Sequence, residues 1–183
     1  MKGKEIERKY LVDPAFLQAN RHRLPESPQE VTADSFECSY IEQYYLCTAP
    51  VLRIRLDNAW QFDAETGKAA EAPSYILTCK GKGSVMHDEL NLPMPVESYL
   101  DLKSRCGGSA ISKRRYRIPL AEELTAELDV FTGAWEGRIV VEVEFPDLIT
   151  MDRFRKPDWF LEDVTEDPTY RNAWMSRHTA SEQ

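Results

Sequence analysis

Charged side chains recur at every second position in short segments of this chain, and the first segment shows the pattern. Residues 5–9 read Glu-Ile-Glu-Arg-Lys, so Glu5, Glu7 and Lys9 follow one another at intervals of two. Successive side chains of a β-strand point to opposite faces. The three charged side chains therefore share one face of a predicted strand, while Ile6 and Tyr10 share the other.

Seven further segments repeat this alternation. We predict strands over residues 5–12, 40–47, 51–57, 75–80, 87–94, 111–120, 126–132 and 138–146. Helices are predicted over residues 14–22, 96–106 and 147–156, with a last helix from residue 170 onward. Residues 58–73 are polar and predict either a long surface hairpin or a mobile loop.

Several predicted strands carry one sign of charge on their polar face. Arg53 and Arg55 lie in one strand, and Glu142 and Glu144 lie in another. A solvated surface usually mixes signs, so we interpret the charged face as the inside of a closed sheet. The predicted fold is α+β, an eight-stranded antiparallel β-barrel or tunnel with a charged lumen and peripheral helices. An ordinary antiparallel sheet with a solvated outer face is the alternative.

Length and composition limit the class of protein. The 183 residues fit one domain spanning residues 1–183. An excess of 31 acidic over 23 basic residues argues against a nucleic-acid-binding protein with a general basic surface. The four cysteines lack the Cys-x-x-Cys spacing of a zinc or redox site, and no apolar run predicts a signal peptide or membrane span. We expect a cytoplasmic monomer or homodimer that binds a small molecule, without nucleic-acid or membrane partners.

The two signs of charge in the predicted lumen suit two kinds of ligand. Arginine and lysine side chains converging from several strands suit an anion with many oxygens, because guanidinium groups bind phosphate through two hydrogen bonds. Carboxylates without thiolates and with few histidines suit a hard cation such as Mg²⁺ or Mn²⁺. A polyphosphate complexed with a divalent metal satisfies both requirements.

These segments resemble the CYTH domain, also called the triphosphate tunnel metalloenzyme family. Residues 5–9 match its Glu-x-Glu-x-Lys signature, and further blocks follow in the family's order at residues 43–46, 53–55, 77–80, 113–116, 127–131, 141–145 and 162–172. The resemblance implies an eight-stranded antiparallel tunnel that binds triphosphate compounds with a divalent metal. Family activities include hydrolysis of inorganic tripolyphosphate, hydrolysis of thiamine triphosphate and class IV adenylate cyclisation.

The resemblance, together with the charge pattern, implies roles for individual residues. The expected metal ligands are Glu5, Glu7, Glu127, Asp129, Glu142 and Glu144. The expected phosphate ligands are Lys9, Arg53, Arg55, Lys80, Lys113 and Arg115. Possible further site residues are Glu89, His87 and Arg117. The alternative for each charged residue is an internal ion pair.

Lys9 and Tyr45 are the expected catalytic residues, because Tyr45 matches the tyrosine that partners the signature lysine in tripolyphosphatases of the family. A lysine crowded by cations loses its proton more easily, so we expect Lys9, with Tyr45, to help activate water. Activation of water by the metal is the alternative. The sequence does not choose between them.

Two departures from the family pattern concern the substrate and the metal. The fifth strand has His87 and Asn91 where the family usually has an arginine and a glutamate, and Thr169 stands where an arginine often precedes the tyrosine. The expected function is metal-dependent hydrolysis of inorganic tripolyphosphate to pyrophosphate and phosphate. The alternatives are an adenylate cyclase, a thiamine triphosphatase, or a polyphosphate- or nucleotide-binding module without catalysis.

Overall fold

The structure is a computed structural model that describes the backbone of residues 2–81 and 86–179, and the side chains of residues 5–81 and 88–179. The strands are β1 Lys2–Val12, β2 Glu37–Thr48, β3 Val51–Asp63, β4 Lys68–Lys80, β5 Met86–Pro93, β6 Ile111–Pro119, β7 Thr125–Thr132, β8 Ile139–Glu144 and β9 Phe160–Asp163. The α-helices are α1 Pro14–Ala19, α2 Val96–Arg105, α3 Leu148–Arg153 and α4 Asn172–Met175. Short 3-10 helices lie at Arg21–Arg23, Pro28–Glu30, Gly133–Trp135 and Pro168–Tyr170.

The strands form one antiparallel sheet in the order β5-β4-β3-β2-β6-β7-β8-β1-β9. β5, at one end of this order, also pairs with β1 near the other end. The two halves of β1 have different partners, because Lys2–Ile6 pair with β5 while Glu7–Leu11 pair with β8. The sheet therefore curls into the predicted tunnel, with β1 as its staggered seam.

Three details differ from the expectation. The sheet has nine strands rather than eight, because Phe160–Asp163 adds to β1 beside β5. Residues 58–73 form a hairpin, since β3 and β4 stay paired as far as Asp63 opposite Lys68. The alternative prediction of a mobile loop over these residues is therefore wrong. The last helix is limited to Asn172–Met175. Among the described residues, no helix has both the length and the apolar character needed to cross a membrane.

The main hydrophobic core lies outside the barrel wall. Its members on the strands belong to the face opposite the charged residues, as Ile6 and Tyr10 on β1 and Leu128 on β7 show. Residues between α1 and β2, together with α3 and β9, cover this face, and Phe160 is fully buried there. The apolar side chains of the strands thus pack against the helices and loops outside the barrel, while the charged side chains of the opposite face point into the lumen.

A smaller hydrophobic cluster lies at one end of the lumen. It consists of Tyr45, Ile111, Phe131, Trp135, Val140 and Met175, here called the apolar end. Tyr45, Ile111, Phe131 and Val140 share strand parity with the charged lumen residues, and Met175 of α4 packs against them. The lumen therefore changes along its length from charged to apolar.

Candidate functional site

The lumen contains a cavity of about 570 Å³ that brings residues from eight strands together. Its lining includes Glu5, Glu7, Lys9, Tyr45, Arg53, Arg55, Lys80, Glu89, Lys113, Arg115, Arg117, Glu127, Glu142 and Glu144. Of the residues singled out from the sequence, Asp129 does not line the cavity. The side chain of His87 lies outside the described part of the chain; its backbone pairs with Glu5 across β5 and β1.

Strand register explains an ion-paired network on one side of the cavity. Arg115 on β6 lies directly opposite Asp129 on β7, and its Nε and Nη2 donate to the two carboxylate oxygens at 2.7 Å each. Lys113 also contacts Asp129, whose side chain is fully buried. Arg115 further contacts Glu127, and its Nη2 lies 2.5 Å from Glu142 Oε2. Both oxygens of Asp129 are therefore occupied by cations of the chain itself.

Lys9 joins this network through its cross-strand neighbour. Its ammonium lies 2.7 Å from Glu142 Oε1 and donates to the carbonyl of Tyr170 at 3.0 Å. Burial lowers the pKa of Lys9, but Glu142 and Glu7 outweigh burial, so the pKa is raised. The expectation that neighbouring cations ease the loss of its proton is wrong, because the nearest charged groups are carboxylates.

Tyr45 and Lys9 line the same cavity but form no hydrogen bond with each other in the described structure. Its hydroxyl lies 3.5 Å from Gln43 Oε1, and its cross-strand neighbour is Arg53. The lysine that is crowded by a cation is Lys113, because burial and the charge of Arg115 lower its pKa. The sequence did not reveal that Lys113, rather than Lys9, has the cationic neighbour, since this depends on which strands are paired.

Arg53 and Arg55 form the part of the cavity with the fewest anionic partners. Both guanidinium Nε atoms are buried and have no hydrogen-bond partner among the described residues. Arg55 Nε lies 4.0 Å from Asp57 Oδ2, and no carboxylate of the described residues lies within ion-pair distance of Arg53. Burial and the charge of Arg53 lower the pKa of Arg55. Buried donors without partners cost free energy, so an anion bound here would stabilise them.

The carboxylates Glu5, Glu7 and Glu144 converge on the other side of the cavity. One oxygen of each lies within 4.8 Å of the others, which is a spacing that a metal ion can bridge. Burial and the charge of Glu142 raise the pKa of Glu7. Desolvation, together with the charges of Glu127 and Glu5, raises the pKa of Glu144 to about 8. Burial and neighbouring carboxylates thus disfavour the charged forms of Glu7 and Glu144, and an all-oxygen donor set suits Mg²⁺ or Mn²⁺.

Lys80 supplies the positive charge that the described structure places beside these carboxylates. Its ammonium lies 2.7 Å from Glu5 Oε2, 3.8 Å from Glu7 Oε1 and 3.3 Å from Glu89 Oε2. The departure at Asn91 belongs to the same group, because Asn91 accepts from Thr78 at 2.6 Å and donates to Glu89 Oε1 at 2.6 Å. Asn91 thereby connects β4 to the carboxylate that contacts Lys80.

Four polar lining residues had no place in the candidate site predicted from the sequence: Gln43, Thr165, Arg171 and Asn172. Asn172 Nδ2 lies 3.4 Å from Gln43 Oε1, and Thr165 Oγ1 accepts from the backbone N–H of Lys9 at 2.9 Å. Arg171 is half-exposed, with its Nη2 4.0 Å from Glu166 Oε2. Gln43 lies two residues before Tyr45 on β2, so the alternation of side chains predicts that it also faces the lumen. The other three lie outside the strands, where alternation with a period of two gives no information.

Comparison with known proteins found relatives along nearly the whole chain, although no family model matches it. The inorganic triphosphatase of Nitrosomonas europaea is 31% identical over 168 residues, covering 92% of this chain and 93% of that protein. The inorganic triphosphatase of Acetivibrio thermocellus is 37% identical over 99 residues, covering 53% of this chain and 62% of that protein. The crystal structure of the inorganic triphosphatase NE1496 superposes with a TM-score of 0.57 at 27% identity, covering 95% of each chain.

These similarities agree with the tunnel fold, the ordered sequence blocks and the charged lumen. The first relative exceeds 30% identity across almost the full length of both chains, so the likeness is not confined to one motif. The superposed crystal structure covers the same extent and shares the arrangement of strands. The chain belongs to the inorganic triphosphatase family of CYTH-type tunnel proteins.

Proposed function

We propose that this chain hydrolyses inorganic triphosphate to pyrophosphate and phosphate with the help of Mg²⁺ or Mn²⁺. The observation that carries the proposal is the division of one cavity between under-neutralised arginines and converging carboxylates. Arg53 and Arg55 keep buried Nε donors without partners, while Glu5, Glu7 and Glu144 gather their oxygens within 4.8 Å. The names of the relatives support a triphosphatase rather than another reaction on a triphosphate.

The carboxylates fit a divalent cation by number, spacing and donor type. Glu5, Glu7 and Glu144 would hold it, and Glu127 and Glu142 lie in the same cavity. A bound Mg²⁺ or Mn²⁺ supplies neutralisation of phosphate oxygens and a water molecule of lowered pKa. Lys80 contacts Glu5, so a cation held by Glu5, Glu7 and Glu144 would leave the Lys80 ammonium available to phosphate.

Different residues of the chain then bind and orient the triphosphate. Arg53 and Arg55 bind phosphate oxygens through charge-assisted hydrogen bonds, and Lys80 and Arg171 add positive charge along the same cavity. Lys9 stays protonated in its ion pair with Glu142 and acts as a phosphate ligand instead of a base. Asp129 holds Lys113 and Arg115 in place. Fixed cations that surround the terminal phosphoryl group stabilise the charge that develops during in-line attack by water.

Phosphate release tests the proposal. The purified chain is incubated with Mg²⁺ or Mn²⁺ and, in separate reactions, with tripolyphosphate, ATP and thiamine triphosphate. We expect tripolyphosphate to be cleaved fastest, with no orthophosphate released after chelation of the metal. Formation of cyclic AMP from ATP identifies a cyclase instead. Tight binding of tripolyphosphate without turnover under any divalent metal identifies a binding module, and either result contradicts the proposal.

A further inference from the structure

Asn91 of β5 lies in the tunnel cavity between a buried hydroxyl and a carboxylate. Its cross-strand neighbour on β4, Thr78, is fully buried and donates to Asn91 Oδ1 at 2.6 Å. Asn91 Nδ2 donates to Glu89 Oε1 at 2.6 Å. An ionised carboxylate can only accept, so the amide nitrogen has to face Glu89 and the amide oxygen has to face Thr78. The position and the orientation of the amide are therefore both fixed.

Glu89 contacts Asn91 through one oxygen and Lys80 through the other. Its side chain is 11% exposed, and its Oε2 lies 3.3 Å from the Lys80 ammonium. Lys80 also lies 2.7 Å from Glu5 Oε2 and 3.8 Å from Glu7 Oε1, so one ammonium is shared among three carboxylates. A carboxylate held away from water needs positive charge or hydrogen-bond donors. The Asn91 N–H adds a donor to the single cation that Glu89 shares with the others.

The remaining carboxylates of the lumen leave one place for a divalent cation. Those on the far side of the cavity contact cations of the chain, as Glu142 does with Lys9 at 2.7 Å. Within the described residues, the one group of three whose oxygens lie at metal-binding spacing is Glu5, Glu7 and Glu144. Glu89 is not a member of this group, although it lines the same cavity.

We propose that Asn91 is a positioning residue that limits the tunnel to one divalent cation, because its amide N–H supplies the positive end that Glu89 would otherwise take from a second cation. The first cation is the one held by Glu5, Glu7 and Glu144 in the proposed function, on which this inference rests. A carboxylate at position 91 would put two negative oxygens at the distance that now separates Asn91 Nδ2 from Glu89 Oε1, and they would repel each other. A divalent cation that binds both oxygens would relieve the repulsion.

Counting bound Mn²⁺ in the absence of substrate tests the role of Asn91. The full chain is titrated with manganese chloride in a buffer that contains sodium chloride, and electron paramagnetic resonance measures the free Mn²⁺. We expect one tightly bound Mn²⁺ per parent chain and one more in Asn91→Asp, which has nearly the same side-chain volume. The Tm of Asn91→Asp, measured by circular dichroism, should be lower than that of the parent without metal and should gain more from Mn²⁺.

Two control variants separate this site from a general effect of negative charge. Glu89→Gln added to Asn91→Asp removes one of the two carboxylates and should return the Mn²⁺ count to the parent value. Asn58→Asp is the matched control, because Asn58 donates to the exposed Glu71 at 2.5 Å in the hairpin of β3 and β4. Water weakens the repulsion there, so this variant should bind no additional Mn²⁺.

The difference in Mn²⁺ count between the parent and Asn91→Asp decides the outcome. Equal counts in these two proteins, two tightly bound Mn²⁺ in the parent, or the same gain in Asn58→Asp would overturn the role of Asn91. Phosphate release that does not depend on a divalent metal contradicts the proposed function instead, and it does not alter the difference between the two counts.

Discussion

Individual cations in the lumen have different electrostatic roles because their neighbours differ. Lys113 and Arg115 share the fully buried Asp129, and Lys9 contacts Glu142 at 2.7 Å. Arg53 and Arg55 keep buried Nε atoms without partners in the described structure. The first group is held by close carboxylates of the chain, whereas the second keeps buried donors that an anion from outside can use.

Arg55→Gln tests whether a lumen cation with an unused buried donor and a lowered pKa serves the ligand. We expect the KM for tripolyphosphate to rise about tenfold to a hundredfold, because a charge-assisted hydrogen bond to phosphate is lost. The free energy of unfolding should stay equal or rise, since the variant no longer buries a charge of limited compensation. Steady-state kinetics and urea unfolding measure the two effects. Arg105→Gln on the exposed surface of α2 is the matched control and should change neither.

For Asp129→Asn we expect the opposite effect on the free energy of unfolding, because Asp129 belongs to the compensated network. Removing the shared carboxylate leaves buried Lys113 without an ion-pair partner among the described residues and leaves Arg115 with Glu127 and Glu142 alone. The free energy of unfolding should fall by about 3–5 kcal/mol in urea denaturation, as for other broken buried ion pairs. Asp101→Asn, which breaks an exposed pair with Arg105, should change it little. A loss of activity without a loss of stability would show instead that Asp129 acts on the ligand.

Cys38 provides a pH-dependent test of the core outside the barrel wall. Its side chain has no exposed area, and burial raises the pKa of its thiol to about 12. Because the thiolate is the reactive form, iodoacetamide at pH 8 should modify the exposed Cys47 and Cys79 while Cys38 reacts only after unfolding. Mass spectrometry of the alkylated peptides measures this. The folded chain keeps this proton above the unfolded value of 9.0, so the associated stability is full below pH 9 and declines toward pH 12.

At the scale of elements, α4 shows how packing creates a helix that propensity does not favour. Four residues are too few to form a stable helix in water. Met175 is fully buried in the apolar end, and its packing holds α4 in place. The same segment carries Arg171 and Asn172 into the tunnel cavity. The packing of one methionine therefore positions two polar residues of the candidate site.

Met175→Ala should loosen α4 and weaken the site together. Truncating a buried methionine removes about 2–5 kcal/mol of stabilisation, which is enough to unfold so short an element locally. Amide hydrogen exchange should become faster over residues 171–178, and the KM for tripolyphosphate should rise. Leu148→Ala on the exposed surface of α3 is the control, with exchange in that segment unchanged. Unchanged exchange in the Met175→Ala protein would mean that other contacts hold α4.

At the scale of the whole molecule, the barrel has its main apolar core outside its wall and its charges inside. Such a lumen is stable only where its charges compensate one another or bind ligands. The network around Asp129 supplies the first condition. The carboxylates Glu5, Glu7 and Glu144 are not compensated in this way, since burial, together with the charges of Glu127 and Glu5, raises the pKa of Glu144 to about 8.

A divalent cation should therefore stabilise the folded chain before any substrate is present. A ligand that binds only the folded state adds about 2.7 kcal/mol at a hundredfold excess over its Kd. We expect Mn²⁺ or Mg²⁺ to raise the Tm in differential scanning fluorimetry, and Glu5→Gln to abolish most of the rise. Glu97→Gln, an exposed acidic residue at the start of α2, should leave the rise intact. An equal rise in all three proteins would point to cation binding elsewhere.

The alternation of charged and apolar residues was sufficient to predict the strands, the tunnel and the inward position of the candidate residues. Those properties depend on local geometry, because strand side chains alternate with a period of two wherever the strand lies. The ninth strand and α4 were harder to delimit, since segments this short take their structure from what they pack against.

Only the tertiary structure decided which lumen charges are neighbours. Register places Asp129 opposite Arg115 and Glu142 opposite Lys9, which turns these four predicted ligands or catalytic groups into members of an ion-paired network. It leaves the Nε donors of Arg53 and Arg55 without a hydrogen-bond partner in the described structure and gathers Glu5, Glu7 and Glu144. Electrostatic energy depends on distance in space, so the sequence by itself determined which residues face inward, and the pairing of strands decided which of them remain available to a ligand.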